Sequence, residues 1–181
     1  MIEPKPKEAG AAPWHVPIAV QDVAETGQRF DLVADENVRA AVARVAGLRE
    51  LPRLQASFEV NRRGAGGLHV AGVVSATVGQ TCVVTLEPLA NELEEAVDLL
   101  FLPAQREGEA EAKPREAKWD DPEPLLGGLV DLGALATEFL ILGLDPYPRK
   151  PGAVFDPPRE PKAEDGPFAA LGKLAKGQNE P

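Results

Sequence analysis

The chain has 181 residues, with 19 Lys and Arg against 29 Asp and Glu and a formal net charge of −10 at pH 7. This charge disfavours nucleic-acid binding over a broad surface, because neutralising phosphates requires a concentrated Lys/Arg face, and leaves room only for a small basic patch. One cysteine and two histidines exclude an internal disulfide and disfavour a metal cage, so no cofactor or metal is expected.

The N-terminal segment predicts disorder followed by two short strands. Residues 1–12 are rich in Pro, Lys and Glu, have nothing to bury and lack the apolar run of a signal peptide. Residues 17–20 and 28–33 are β-type runs separated by a turn-like Glu-Thr-Gly. They predict either a first hairpin or a pair of edge strands.

A short helix is predicted after the second run. Asp35 is an N-cap residue, and Gly47 is placed to end the helix. One face of this helix carries the apolar residues Val38, Val42 and Val45.

Two alternating runs then predict a long antiparallel hairpin. Residues 54–60 and 68–78 carry apolar side chains at every second position, as strands with one dry and one wet face do. Residues 82–86 predict the next strand, and residues 93–101 predict a charged strand or one with a protected edge. The uncharged stretch of residues 64–86 is long enough for a membrane span. Polar residues and glycines interrupt it, so no membrane contact is expected.

Charge is uneven along the chain. Residues 36–63 carry six arginines and three glutamates, whereas residues 87–131 carry thirteen acidic and four basic residues, a balance of −9. Within the acidic part, residues 104–120 are of low complexity and predict a disordered insertion. The acidic residues serve either solvation or attraction to a basic protein.

The stretch from Asp131 to Leu144 predicts the core helix. Apolar residues recur at helical spacing, and Asp131 can accept hydrogen bonds from the free amides of the first turn. Only Thr137 and Glu138 are polar between the cap and the end of the helix, so most of its circumference should be covered, with Phe139 buried.

Three prolines after this helix predict an extended, polyproline-like strap that displays three side chains at fixed positions. These are Tyr147, Arg149 and Lys150, which form the predicted binding site through stacking and phosphate contacts. The alternative is that they pin the strap to the sheet. Glu138 is expected to pair with Arg149 or Lys150.

The remaining segment, residues 157–181, predicts a mostly flexible tail. Within it, three apolar residues lie at helical spacing and favour a short docking helix: Phe168, Leu171 and Leu174. Residues 13–156 then form a single α+β domain. Its antiparallel, hairpin-rich sheet, open or closed like a barrel, packs against one core helix, with one or two short helices besides.

Two further residues, Cys82 and His69, are of types that can act in catalysis, but their sequence context does not support such a role. Cys82 lies in an apolar β-type run and is interpreted as a buried small hydrophobe, since no basic neighbour in the sequence would favour its thiolate. His69 is interpreted as an exposed histidine, because no nucleophile motif accompanies it. No GxGxxG, P-loop, GxSxG or paired CxxC motif occurs, so no catalytic residue is assigned.

Four segments carry a family resemblance. They read CVVTLEP from residue 82, DPEPL from residue 121, DLGALATEFLILGLDPYPRKPG from residue 131 and PFAALGKL from residue 167. Together they resemble the bacterial YceD family over roughly residues 13–175. Many members carry Cys-x-x-Cys where this chain has Cys82 and Thr85, so no metal or redox role is carried over.

The resemblance implies a cytoplasmic factor that is needed for accumulation of large-subunit ribosomal RNA and has no known enzymatic activity. The implied partner is ribosomal RNA or a basic ribosomal protein of the large subunit, and a monomer is expected. A protein-binding adaptor without RNA contact is the alternative. A hydrolase or redox enzyme has the least support.

Overall fold

The computed structural model describes residues 12–64, 66–103, 122–155 and 157. A short strand β1 (Pro17–Ala19) and one turn of 3-10 helix (Val20–Asp22) come first. The rest follows in the order β2 (Gln28–Val33), α1 (Glu36–Ala46), β3 (Glu50–Arg63), β4 (Gly67–Thr81), β5 (Pro88–Pro103), β6 (Glu123–Leu125), β7 (Leu129–Asp131) and α2 (Leu132–Leu142). The predicted α+β class is confirmed.

The strands form a five-stranded sheet and a separate pair. The sheet has the order β2-β3-β4-β5-β6 and is antiparallel except between β5 and β6, which run parallel. It runs from one edge to the other without closing, so within the described residues it is an open sheet and not a barrel. Strand β1 pairs with β7. Residues 17–20 and 28–33 therefore belong to different sheets, and the hairpin alternative for them is wrong.

The predicted alternation of β3 and β4 is confirmed and builds the core. The inward side chains of the two strands are almost fully buried, with Phe58, Val60, Leu68 and Val70 among them. Helix α1 packs on β3, and helix α2 packs on β4 and β5. Both helices lie on the apolar side, because that side carries the inward residues of every long strand.

Helix α1 begins and ends at the predicted residues. The Asp35 carboxylate accepts the amide of Val38 at 2.8 Å, and Gly47 adopts a left-handed conformation with φ of 67°. Val42 is buried, but Val45 is 62% exposed, so the predicted valine face is only partly inside. The buried residues of α1 are Val42 and Ala43, so the face that packs on the sheet includes Ala43 and leaves Val45 at its margin.

Helix α2 is a core helix with one open side. Asp131 caps it as predicted, and Thr137 is buried and donates its hydroxyl to the carbonyl of Gly133 at 2.9 Å. The prediction that Phe139 is buried is wrong, since it is half-buried, and Leu142 is 75% exposed. The described elements cover only one side of α2, and this side carries Leu132, Leu135, Ala136 and Leu140.

Residues 82–86 form a turn, so the strand predicted there is wrong. The amide of Cys82 donates to the carbonyl of Glu87, and the amide of Leu86 donates to the carbonyl of Cys82. Leu86 has a φ of 60°. These local bonds turn the chain from β4 into β5, where an apolar run alone had suggested extension.

Several predictions lie outside the described residues. These concern residues 1–11, the whole insertion at 104–120, and the tail from 158 onwards with its docking helix at Phe168, Leu171 and Leu174. Among the helices that the structure describes, none has the length and apolar character needed to cross a membrane.

Candidate binding site on the proline strap

The strap, residues 145–151, leaves the end of α2 and is held at its start by two hydrogen bonds. The side chain of Gln80 donates to the carbonyl of Asp145 at 2.9 Å. The Asp145 carboxylate accepts the amide of Tyr147 at 2.8 Å. Pro146 has no amide to donate, so the backbone hydrogen bonds of the helix cannot continue here. The Asp145 side chain provides a local hydrogen bond instead.

The middle of the strap lies against the turn of residues 82–87, which is called the cysteine turn below. The amide of Val83 donates to the carbonyl of Pro148 at 2.9 Å, and the amide of Lys150 donates to the sulfur of Cys82 at 3.3 Å. Pro148 is buried at this contact. The strap is therefore fixed by backbone bonds to the β4–β5 connection, as well as by its prolines.

Cys82 is fully buried, which confirms its predicted burial. Its sulfur does more than fill apolar space, because it also accepts hydrogen bonds. The amide of Lys150 and the side chain and amide of Thr85 lower the pKa of the Cys82 thiol to about 6. The sequence shows no basic neighbour, because Lys150 reaches the turn only through the fold. Hydrogen bonds to the charged form outweigh the desolvation that burial brings.

Lys150 is already engaged with the cysteine turn. Its ammonium group contacts the Glu87 carboxylate at 2.9 Å, and both side chains are about half exposed. This pair holds the pKa of Glu87 below its usual value and raises that of Lys150. The predicted pairing of Glu138 with the strap is wrong, since the salt bridges among described residues do not include Glu138.

Tyr147 and Arg149 flank the buried Pro148 and are exposed, Tyr147 to 71%. Arg149 lines a shallow depression at the edge of β5 together with Gln80, Glu94 and Glu95. An aromatic ring and a guanidinium group thus stand two residues apart on a braced backbone. The acidic wall beside Arg149 confines the positive potential to a small patch.

All three predicted site residues are exposed, and Lys150 is in addition paired with Glu87. Sequence reasoning missed Glu87 and Asp145, which position the strap. Asp145 precedes a proline and is followed two residues later by the amide it accepts, a pattern typical of an Asx turn that could have identified it.

The other candidate groups do not assemble a reaction centre. Within residues 12–155, as far as these are described, no three His, Cys, Asp or Glu side chains cluster as metal ligands would. The prediction that His69 is exposed is wrong, since its side chain is 24% exposed and its Nε2 lies 2.7 Å from an oxygen of Asp98. Its Nδ1 is buried without a partner among the described residues.

Comparison with known proteins gives one match. The sequence model of the family described as large ribosomal RNA subunit accumulation protein YceD matches residues 70–175. This range contains most of β4, together with β5, the cysteine turn, α2 and the strap. No curated protein and no solved structure matches the chain.

Proposed function

The chain belongs to the YceD family, and from this premise we propose that it supports accumulation of large-subunit ribosomal RNA by binding a component of the assembling large subunit. The proposed mode of action is recognition without catalysis, in the cytoplasm. The proposed contact is the strap, with Tyr147 and Arg149 as the recognising side chains and Lys150 as a residue that contributes charge while bracing the strap.

The observation that carries this proposal is the exposure of Tyr147 and Arg149 on a backbone fixed by Pro148 and the cysteine turn. A flexible loop loses conformational entropy when it binds, and a fixed strap has little left to lose. An exposed aromatic ring suits stacking on an unpaired base, and a neighbouring guanidinium suits a phosphate. These two groups together favour a single-stranded RNA segment as the ligand.

The net charge of −10 limits such a contact to a small number of phosphates. A patch with one or two cations neutralises one or two phosphates, so the logarithm of the affinity for a single strand should fall with the logarithm of the salt concentration with a slope of about −0.7 to −1.4. Binding over a broad RNA surface would give a much steeper slope. The salt slope thus reports the size of the contact.

The test uses the double variant Tyr147→Ala/Arg149→Gln in the full-length chain. Neither side chain takes part in the strap's hydrogen bonds to the cysteine turn, so the melting temperature should stay close to that of the wild type. Large-subunit RNA should decline in cells that depend on the variant. Arg44→Gln, an exposed arginine on α1, is the matched control for charge loss.

Normal RNA levels with the folded double variant would remove these two residues from the site. A second variant, Lys150→Gln, separates bracing from binding. Loss of the Glu87 pair should lower stability only slightly, because solvent screens exposed salt bridges. If Lys150→Gln lowers RNA levels in proportion to lost stability alone, Lys150 acts by holding the strap.

A further inference from the structure

One face of the five-stranded sheet remains open. Both helices pack on the apolar side, and no described helix or strand covers the opposite face of β2 to β5. This face, called the open face, carries the outward residues of the strands in register. In the strand register, Arg29 lies opposite Glu59, Glu59 opposite Ala71, and Ala71 opposite Asp98. These residues form one row across the four strands.

The centre of the open face is a shallow depression with small side chains. Its floor includes Ser57, Val73 and Ser75 from β3 and β4, and its two sides carry Asp31 from β2 and Glu94 from β5. Val73 in the floor is 38% exposed, and the neighbouring Val33 is 70% exposed. A partner could therefore bring side chains down to the sheet between two acidic walls.

The charge of this face is negative. Five carboxylates point outward from β2, β3 and β5, against the three arginines Arg29, Arg53 and Arg63, and these carboxylates are Asp31, Glu59, Glu92, Glu94 and Asp98. Two of these arginines are already used within the face, because Arg53 bonds Glu92 and Arg29 bonds Asp31, whereas Arg63 lies at the far end of β3.

Two of the five carboxylates have no such partner. The other three outward acids are engaged: Asp31 and Glu92 by the arginines named above, and Asp98 by His69. Glu59 and Glu94 take part in no side-chain hydrogen bond or salt bridge among the residues described. The hydrogen-bonded sheet fixes the backbone of Glu59 and Glu94, and their exposed carboxylates are available to a cation.

We propose that the open face binds a polypeptide segment rich in Lys and Arg. Its cations would meet Glu59 and Glu94, and the methylene stems of the same side chains would cover Val73 and the small residues of the floor. This inference goes beyond the proposed role in RNA accumulation, and its Glu94 also lines the depression beside Arg149 of the strap.

Charge decides between the occupants. A nucleic acid would place phosphates against a face with a surplus of carboxylates, and a second copy of the chain would place the same negative face against itself. Both arrangements bring like charges together, which costs affinity. A basic polypeptide is the occupant that the charge of this face complements.

The test measures binding of a fluorescent synthetic peptide of Arg, Lys and Ala to the full-length protein, with the same peptide carrying Gln in place of its cations as the blank. The double variant Glu59→Gln/Glu94→Gln removes the two unpaired carboxylates. The matched control is Glu25→Gln/Glu138→Gln, which removes two exposed carboxylates elsewhere and leaves the same net charge.

We expect the open-face variant to bind the basic peptide about tenfold more weakly, and the control to differ from wild type by no more than about twofold. In NMR spectra, the peptide should shift backbone amides of β3, β4 and β5 more than those of α1. Both variants should melt near the wild-type temperature, since all four positions are exposed.

Equal weakening in the open-face variant and in the control would overturn the proposal, because binding would then reflect net charge alone. It would also be overturned if an RNA oligonucleotide, and not the peptide, bound in a manner sensitive to Glu59→Gln/Glu94→Gln. A third contrary outcome is self-association of the wild-type chain that the same variant abolishes in sedimentation experiments.

Discussion

The backbone amide of Lys150 donates a hydrogen bond to the sulfur of Cys82 at 3.3 Å and joins residues that stand 68 positions apart. This bond links the strap to the connection between β4 and β5. The sulfur also accepts the amide of Thr85 at 3.4 Å, so one side chain organises both the turn and the strap. A change at Cys82 should therefore be felt by the exposed residues of the strap.

Stability should depend on pH through Cys82. Folding lowers the pKa of this thiol from 9.0 to about 6, so the folded state binds fewer protons between these values. The contribution of the thiolate is fully present above pH 9 and is lost as the pH falls through 6. The melting temperature of the wild type, compared with that of Cys82→Ala, should rise from pH 6 to pH 9.

Cys82→Ser is the matched control for this prediction. A serine oxygen can still accept the amides of Thr85 and Lys150, but it does not titrate in this range. Its melting temperature should lack the rise seen in the wild type. Because the chain has a single cysteine, the ultraviolet absorbance of the thiolate reports the same titration directly. An absorbance midpoint near the ordinary thiol value would contradict the prediction.

Asp131 should be sensitive to substitution because its carboxylate accepts several backbone amides. It accepts from Val16 at 2.8 Å and from Gly133 and Ala134 at 3.1 Å, and it also contacts His15. Asp131→Ala should lower the free energy of unfolding by about 1–2 kcal/mol through loss of the cap. Chemical denaturation measures this, with Asp35→Ala on α1 for comparison.

Acid should weaken the same contacts. Partial burial acts to raise the pKa of Asp131, but the amides of Val16 and Ala134 and the neighbouring His15 lower it below the usual value. The stabilisation is present at neutral pH and is lost as the pH falls through the folded pKa, which lies below the usual value for Asp. Asp131→Asn should flatten this part of the stability curve, and an unchanged acid limb would argue against the assignment.

Phe58 should contribute more to stability than Phe139. Phe58 is fully buried and pairs with Gly72, where an added Cβ would lie 2.0 Å from the carbonyl oxygen of Ser57. Phe58→Ala should cost about 3–5 kcal/mol. Phe139→Ala should cost clearly less, because the ring is only half-buried. Urea titrations of both variants decide the order, and equal losses would show that the exposed side of α2 is covered.

The segment between β5 and β6 should tolerate replacement if its length is respected. The sequence predicts that residues 104–118 are dispensable for folding, and this stays a prediction. Pro103 pairs with Leu125 in a parallel arrangement, and parallel strands need a connection of about a dozen residues or more. A Gly/Ser linker of about 12 residues in place of residues 104–121 should leave the melting temperature nearly unchanged.

A linker of about four residues tests the same point from the other side. It should lose the pairing of β6 and lower the melting temperature, because the chain can no longer return to run parallel to β5. If the short and long linkers behave alike, β6 adds nothing to stability. If the long linker prevents folding, the native segment is structural.

Local patterns in the sequence determined the regular elements. Alternating apolar residues predicted β3 and β4, Asp35 and Asp131 predicted the helix starts, and the prolines predicted the strap with Tyr147 and Arg149. Each of these signals acts over a few residues through backbone dihedral preferences or side-chain periodicity. For this reason a single chain contains enough information to place them.

The tertiary structure alone decided which elements meet. It separated β1 from β2, set β6 parallel to β5, and turned the apolar run after Cys82 into a bend that the strap of residues 145–151 covers. It also left Phe139 half-buried and brought Lys150 to Glu87 and Cys82. These outcomes depend on contacts between residues far apart in the chain, and periodicity shows that a face is apolar without identifying what will cover it.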